Sequence, residues 1–191
     1  MDPEKARRFR RNVLRFDEPT PSHERVSKWV QDFANRVYHN LRGGETPWLI
    51  LLGKPGTGKT HLANATAEFI GLSAVDLWHA GKWPAIPTVA NLGWPSLVGK
   101  DGAEVFREAE AADLLVVDEI GAEVDRFKTG EPTEVLRRLL SRREGRWTIL
   151  TSNVPQSEWI DRWDARIASR LSAGKTLLFD SLPDRRPLQG A

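Results

Sequence analysis

The sequence predicts an α/β fold, a parallel sheet of five strands sandwiched by helices. Three observations carry this reading. Short, largely apolar runs recur ("WLILL", "LLVV", "TILTS"), the pattern of strands buried on both faces. Stretches with helical periodicity alternate with them, as a sheet covered on both sides requires. The first apolar run passes directly into "GKPGTGKT" and then into a helical pattern, a strand–loop–helix unit. At 191 residues the chain suits one domain with a single substantial core.

The elements follow in order. Residues 1–21 form a basic arm ending in the Pro-punctuated "DEPTP". From Ser22, a plausible N-cap, the residues Val26, Trp29, Val30, Phe33, Val37 and Leu41 recur at helical spacing, and "GG" at 43–44 is the stop. "PWLILL" (47–52) is the first strand. A helix begins near Lys59 and runs to about Ile70, with an extension through Gly71 to Trp78 left open. "PAIPTVANL" (84–92) is read as the second strand, against the resistance of its prolines. Residues 93–112 are a Trp-Pro and Gly-rich stretch followed by a helix, "AEVFREAEAA". "DLLVVDEIG" (113–121) is a strand ending in two acids, and "EPTEVLRRLLSRREG" (131–145) is a helix with Pro in its first turn. "RWTILTSN" (146–153) is a strand, two short helices occupy 156–163 and 164–172, and "KTLLFD" (175–180) is the last strand.

Composition narrows the function classes. There is no cysteine, which excludes disulfides, thiolate catalysis and Cys-ligated zinc and fits a cytoplasmic location. No apolar run approaches the ~18 residues that span a bilayer, and the basic N-terminus lacks the apolar stretch of a secretory signal. The net charge of +2 is unevenly spread: residues 43–136 hold 7 Lys/Arg against 14 Asp/Glu, and residues 137–191 hold 11 against 6. The uneven charge has three readings: solvation of different faces, contact between copies of the chain, or contact of the basic parts with nucleic acid.

The glycine loop has the spacing Gly-x-x-x-x-Gly-Lys-Thr from Gly53 to Thr60. Gly53, Gly56 and Gly58, with Lys54, Pro55 and Thr57 between them, permit a tight turn whose backbone N–H groups face phosphate oxygens. The following helix adds the positive end of its dipole. Lys59 supplies an ammonium for the outer phosphates and Thr60 a hydroxyl for Mg²⁺, so the cofactors implied are ATP and Mg²⁺. His61 follows as a helix residue beside the site rather than a catalyst. Asp118 and Glu119 end a buried strand, where open parallel sheets bind ligands. Asp118 there holds Mg²⁺ through water, and Glu119 orients or deprotonates an attacking water. Asn153 ends another strand; it either positions that water or caps a turn.

Other chemistries find no support. The four histidines have no metal spacing, no Gly-x-Ser-x-Gly elbow occurs, and no Asn-Lys-x-Asp follows the acidic strand. Arg166 and Arg170 lie four apart on one helix face, either a solvated pair or a finger reaching a phosphate bound by a neighbouring copy.

Taken together, "GKPGTGKTHLA", "LLVVDEIGAE", "TSN" and "ARIASRL…GKTLLFDSLPDRR" resemble the AAA+ ATPases of the DnaC/DnaI type. These are bacterial and phage loaders of the replicative helicase, and the transposition ATPase IstB is a close relation. The resemblance covers residues 23–187 and places a AAA+ P-loop NTPase domain at 22–187 with a tail at 188–191. It implies Walker A roles for Lys59 and Thr60, Walker B roles for Asp118 and Glu119, and a sensor role for Asn153. It implies an arginine finger at Arg166 or Arg170, with Arg170 favoured, and a γ-phosphate contact from Arg185 or Arg186. Residues 91–112 fall where this group carries a helix that lines single-stranded DNA. Trp94 and Lys100 there are either a stacking platform with a cation or, for Trp94, core. The implied partners are a DnaB-type replicative helicase, single-stranded DNA and further copies of the chain assembled head-to-tail, with no membrane. Two alternatives stand beside the loader: an IstB-like transposition ATPase acting on duplex DNA, and a nucleotide-dependent adaptor without turnover. The short arm stands where loaders carry a helicase-gripping domain, and the few residues after the last strand leave little or no C-terminal lid.

Overall fold

In a computed structural model, residues 21–39, 46–83, 85–99, 102–122 and 130–179 are described. Residues 1–20 of the N-terminal arm, the C-terminal tail, Lys100, Arg185 and Arg186 lie outside them. Helix α1 spans Pro21–Tyr38, strand β1 Trp48–Leu52, and helix α2 Lys59–His79. Strand β2 (Val89–Gly93) leads into two helices, α3 (Trp94–Val98) and α4 (Gly102–Ala111). Strand β3 (Leu114–Ile120), helix α5 (Glu131–Arg142) and strand β4 (Trp147–Ser152) follow. A 3-10 turn at Gln156–Glu158, helices α6 (Trp159–Arg162) and α7 (Ala165–Ala173), and strand β5 (Lys175–Leu178) complete the order.

The five strands form one sheet in the order β2-β3-β4-β1-β5, and every pairing is parallel. The predicted fold class is therefore the observed one. Because side chains alternate along a strand, each strand contributes to two cores. Leu49, Leu51, Leu114, Val116 and Ile149 pack on α1 and α2. Ile50, Leu52, Leu115, Val117 and Leu150 pack on α3 to α7. Each such side chain, fully buried, contributes roughly 1.5–3 kcal/mol.

Several expected boundaries move. Helix α2 does continue through Gly71, because Phe69, Ile70 and Ala74 keep its inner face buried on both sides of the glycine. The glycine's cost of roughly 0.5–1 kcal/mol is small beside that burial. Strand β2 is shorter than the 84–92 expected and begins only at Val89, past the prolines that cannot donate to a ladder. Just before it, the Thr88 N–H turns to the Asp113 carboxylate at 2.8 Å. The last strand ends at Leu178 rather than at 180.

Arg143, at the C-terminus of α5, is 0% exposed. Its guanidinium donates to the carbonyls of Ala112 (2.5 Å), Trp147 (2.6 Å) and Ala109 (3.2 Å) and to Thr148 Oγ1 (3.1 Å). Its own carbonyl accepts from Trp48 Nε1 at 3.1 Å. Burial first, and then Arg146, lower its pKa to about 10, against the opposing pull of Asp113. This side chain binds the end of α4 to α5 and β4, and thereby fixes the layer that carries the arginines described below.

Candidate active site

The carboxyl ends of β1, β3 and β4 lie side by side, and the glycine loop leaves the first of them. Gly53 sits at φ 149°, and a Cβ on it would lie 2.9 Å from Phe179 Cβ. The loop mouth is pinned from both sides: Gly53 N donates to Ser152 O (3.3 Å), and Phe179 N donates to Leu52 O (2.7 Å). Gly58 is the N-cap of α2 at φ 94°, and it offers no side-chain cap. The first N–H groups of a 21-residue helix therefore face the loop's hollow. Lys59 is only 6% exposed. Its Nζ donates to the loop carbonyls of Gly53 (2.7 Å) and Lys54 (2.8 Å), and Thr57 Oγ1 donates to the same Lys54 carbonyl at 2.9 Å. These bonds hold the ammonium against the wall of the loop. Lys54 and Pro55 are exposed at the loop tip, Gly56 adopts φ 79°, and His61 is exposed in the first turn of α2.

Across the loop, Thr60 Oγ1 donates to Asp118 Oδ1 at 2.9 Å. The β3–β4 register breaks here: Val117 pairs with Leu150 and Ile120 with Ser152, so Asp118 and Glu119 together oppose Thr151. This β-bulge re-aims both acids. Glu119 takes φ 62°, the one positive φ at a non-glycine among the described residues. Its N–H donates to Thr151 Oγ1 (2.8 Å), and Thr151 in turn donates to Asp118 Oδ1 (2.6 Å). Asn153 is exposed directly beyond β4, on the strand that neighbours the acids. The structure thus gathers Lys59, Thr60, Asp118, Glu119 and Asn153 around one loop. Thr151 was not singled out from the sequence; its only signal there was a position two residues before Asn153 on a strand paired with the acidic one.

Among the described residues no group of three or more His, Asp or Glu forms a metal cage. A hydroxyl and one carboxylate oxygen, Thr60 and Asp118, instead suit Mg²⁺, which keeps its waters and takes most remaining ligands from phosphates.

Arg166 and Arg170 lie on α7, in a groove of about 630 Å³ between α5 and α7 that Arg137, Arg138 and Arg142 also line and to which the glycine loop contributes no residue. Arg166 is exposed, whereas Arg170 is half-buried and donates to Arg137 O at 3.5 Å. Asp164 caps α7 by accepting from Ile167 N at 2.8 Å and binds Arg137 at 2.7 Å. The Arg137 guanidinium, and then the Ile167 N–H, hold the Asp164 carboxyl below its usual range. Five of the eleven Lys/Arg of residues 137–191 therefore line one groove, where Arg137 is paired with Glu134 and Asp164 and Arg142 with Glu110. Trp94, by contrast, is 0% exposed and packs in the core with Leu97 and Phe106. Of its two readings the core one holds, since a ring without exposed faces cannot stack on bases.

A parallel sheet ordered β2-β3-β4-β1-β5, a glycine loop after β1 and an acid pair at the end of β3 define a P-loop nucleoside triphosphatase domain of the AAA+ type. The chain belongs to the IstB-like ATP-binding protein family, whose pattern matches residues 28–171. It is similar to the replicative helicase loader DnaC of Buchnera aphidicola subsp. Acyrthosiphon pisum, with 25% identity over 177 residues covering 85% of this chain and 64% of the relative. The insertion sequence IS21 putative ATP-binding protein of Pseudomonas aeruginosa is 37% identical over 117 residues, 58% of this chain and 40% of that one. The crystal structure of the DnaC helicase loader shares the fold, with a TM-score of 0.61 at 21% identity, covering 90% of this chain and 98% of that one. The chain spans less than two thirds of the length of these two sequence relatives. The family resemblance drawn from the motifs is borne out.

Proposed function

We propose that the chain is an ATP-dependent DNA-replication factor of the helicase-loader kind. It binds ATP with Mg²⁺, assembles head-to-tail, and engages single-stranded DNA and a DnaB-type replicative helicase in the cytoplasm while ATP is held. Hydrolysis then releases them. The observation that carries the nucleotide chemistry is the contact of Thr60 with Asp118 beside the buried Lys59 ammonium. The loop N–H groups and Lys59 bind the outer phosphates, and Thr60 and Asp118 hold Mg²⁺. Bound there, Mg²⁺ neutralises charge on the β- and γ-phosphates.

Glu119 accepts the proton of a water that Asn153 orients toward the γ-phosphate. Arg166 is exposed and Arg170 half-buried in a groove lined by five arginines, and this supports delivery of one of them to the phosphates of a neighbouring copy. Arg185 and Arg186 are assigned the γ-phosphate of their own chain by family resemblance alone, and Lys100 a DNA contact on the same basis.

The relatives named as helicase loaders match over a larger share of the chain than the IS21 protein does, which favours the loader. The higher identity to the IS21 protein keeps transposition as the second reading. The test is ATP turnover with single-stranded DNA, duplex DNA and purified replicative helicase. Stimulation by single-stranded DNA together with helicase capture supports the loader, stimulation by duplex DNA alone supports the transposition reading, and binding without turnover leaves the adaptor.

A further inference from the structure

Thr151 is fully buried, and a single hydroxyl serves both acids of the site. A hydroxyl has one proton and two acceptor lone pairs. Here the proton goes to Asp118 Oδ1 at 2.6 Å, and a lone pair receives the Glu119 N–H at 2.8 Å. The bulge makes this possible, since Asp118 and Glu119 occupy two places opposite one residue of β4. Each half of the contact does separate work. Donation to Oδ1, the oxygen that also accepts from Thr60, fixes the rotation of the Asp118 carboxylate. Acceptance from the Glu119 N–H helps hold a backbone at φ 62°, a left-handed conformation that non-glycine residues adopt where the surroundings enforce it.

Thr148, three residues earlier on β4 and on the opposite face, shows what a purely structural threonine does in this sheet. Its hydroxyl accepts from Arg143 and donates to Arg146 O, far from either acid.

We propose that Thr151 is a positioning residue of the nucleotide site: its hydroxyl sets the Asp118 carboxylate for Mg²⁺ and the backbone turn that presents Glu119. This rests on the Mg²⁺·ATP reading given above. Outer ligands that orient a metal-binding carboxylate characteristically control metal affinity and turnover without touching substrate.

The experiment compares the full chain with Thr151→Val, which keeps the shape and loses the hydroxyl, and Thr151→Ser, which keeps the hydroxyl. A fluorescent ATP analogue is titrated in EDTA and then across Mg²⁺ concentrations, with melting temperature and turnover measured alongside. In EDTA the three proteins bind the analogue alike. Thr151→Val needs ~10- to 100-fold more Mg²⁺ for the same gain in affinity and loses turnover by a similar factor, with KM for ATP unchanged at saturating Mg²⁺. Thr151→Ser recovers most of both. A Thr151→Val protein with a lowered melting temperature but an unaltered Mg²⁺ response is the signature of a merely structural residue and overturns the proposal. So does a Thr151→Ser protein as defective as Thr151→Val. Wild-type protein that binds Mg²⁺·ATP without turnover overturns the hydrolysis reading alone, because the Mg²⁺ titration still decides Thr151. Wild-type protein that binds no nucleotide overturns both.

Discussion

Thr60 and Asp118 stand 58 positions apart in the chain and meet at 2.9 Å, hydroxyl to carboxylate. One opens α2 and the other ends β3, so the contact joins the glycine loop to the acid pair before any ligand is considered. A site assembled in advance loses little free energy to rearrangement on binding. Its parts can therefore be tested one at a time.

Removal of the Lys59 ammonium is expected to weaken ATP binding in Lys59→Ala by ~10- to 100-fold or more, the worth of a charged hydrogen-bond pair in a buried setting. Isothermal titration with ATP checks this. Retained wild-type affinity would show that the loop does not hold phosphates.

Glu119→Gln is expected to bind Mg²⁺·ATP normally and to lose turnover by ~10²- to 10⁴-fold, the usual contribution of a positioned base. The φ of 62° is a backbone property and survives the exchange of carboxylate for amide, so a change in melting temperature is not expected. Unchanged turnover would take the base role from this residue.

Arg170→Ala is expected to lower turnover by ~10³-fold or more if its guanidinium acts on a neighbour's phosphates. Mixing Arg170→Ala protein with Glu119→Gln protein then restores part of the activity, since some interfaces pair an intact acid with an intact arginine. A mixture no more active than its components would place the arginine's action within its own chain. Arg166→Ala in the same assay separates the exposed arginine from the half-buried one.

Acid should selectively erase the contribution of Asp164. Its carboxyl titrates below the ordinary 3.8 in the folded chain because Arg137 and the Ile167 N–H favour the ionised form. The stabilisation is therefore complete above the unfolded value and is lost as pH falls through the lowered folded value. Asp164→Asn keeps an N-cap oxygen for Ile167 but not the charge toward Arg137. Its melting temperature should lie below wild type near neutral pH and converge with it as the pH falls below the ordinary carboxylate range. A gap that persists there would mean that something other than the carboxylate charge is responsible.

Gly53→Ala is expected to destabilise the fold by roughly 1–3 kcal/mol, because its Cβ must displace Phe179, whose Cβ lies only 2.9 Å from that position. Chemical denaturation measures it. A neutral result would show that β5 and the loop mouth separate easily.

Local patterns determined much of this protein. The central strands β1, β3 and β4 are largely apolar because both sheet faces are covered there, so they are legible as runs of letters. The glycine loop was legible because its chemistry lies within eight consecutive residues, Gly53 to Thr60. Asp118 and Glu119 were legible as acids after such a run.

Tertiary structure alone decided what depends on which strand lies beside which. Thr151 reads as an ordinary strand residue until β4 pairs with β3 and a one-residue bulge sets two acids opposite it. Arg143 reads as one more charge at a helix end until the chain closes around it and two segments, the end of α4 and the start of β4, supply its four acceptors. Trp94 stands between core and surface in the sequence because a helix that short has no periodicity to show its inner side. The physical reason is common to all three: burial and hydrogen-bond partners are properties of neighbours in space. In a parallel sheet those neighbours are brought together by crossovers, across separations that local sequence does not encode.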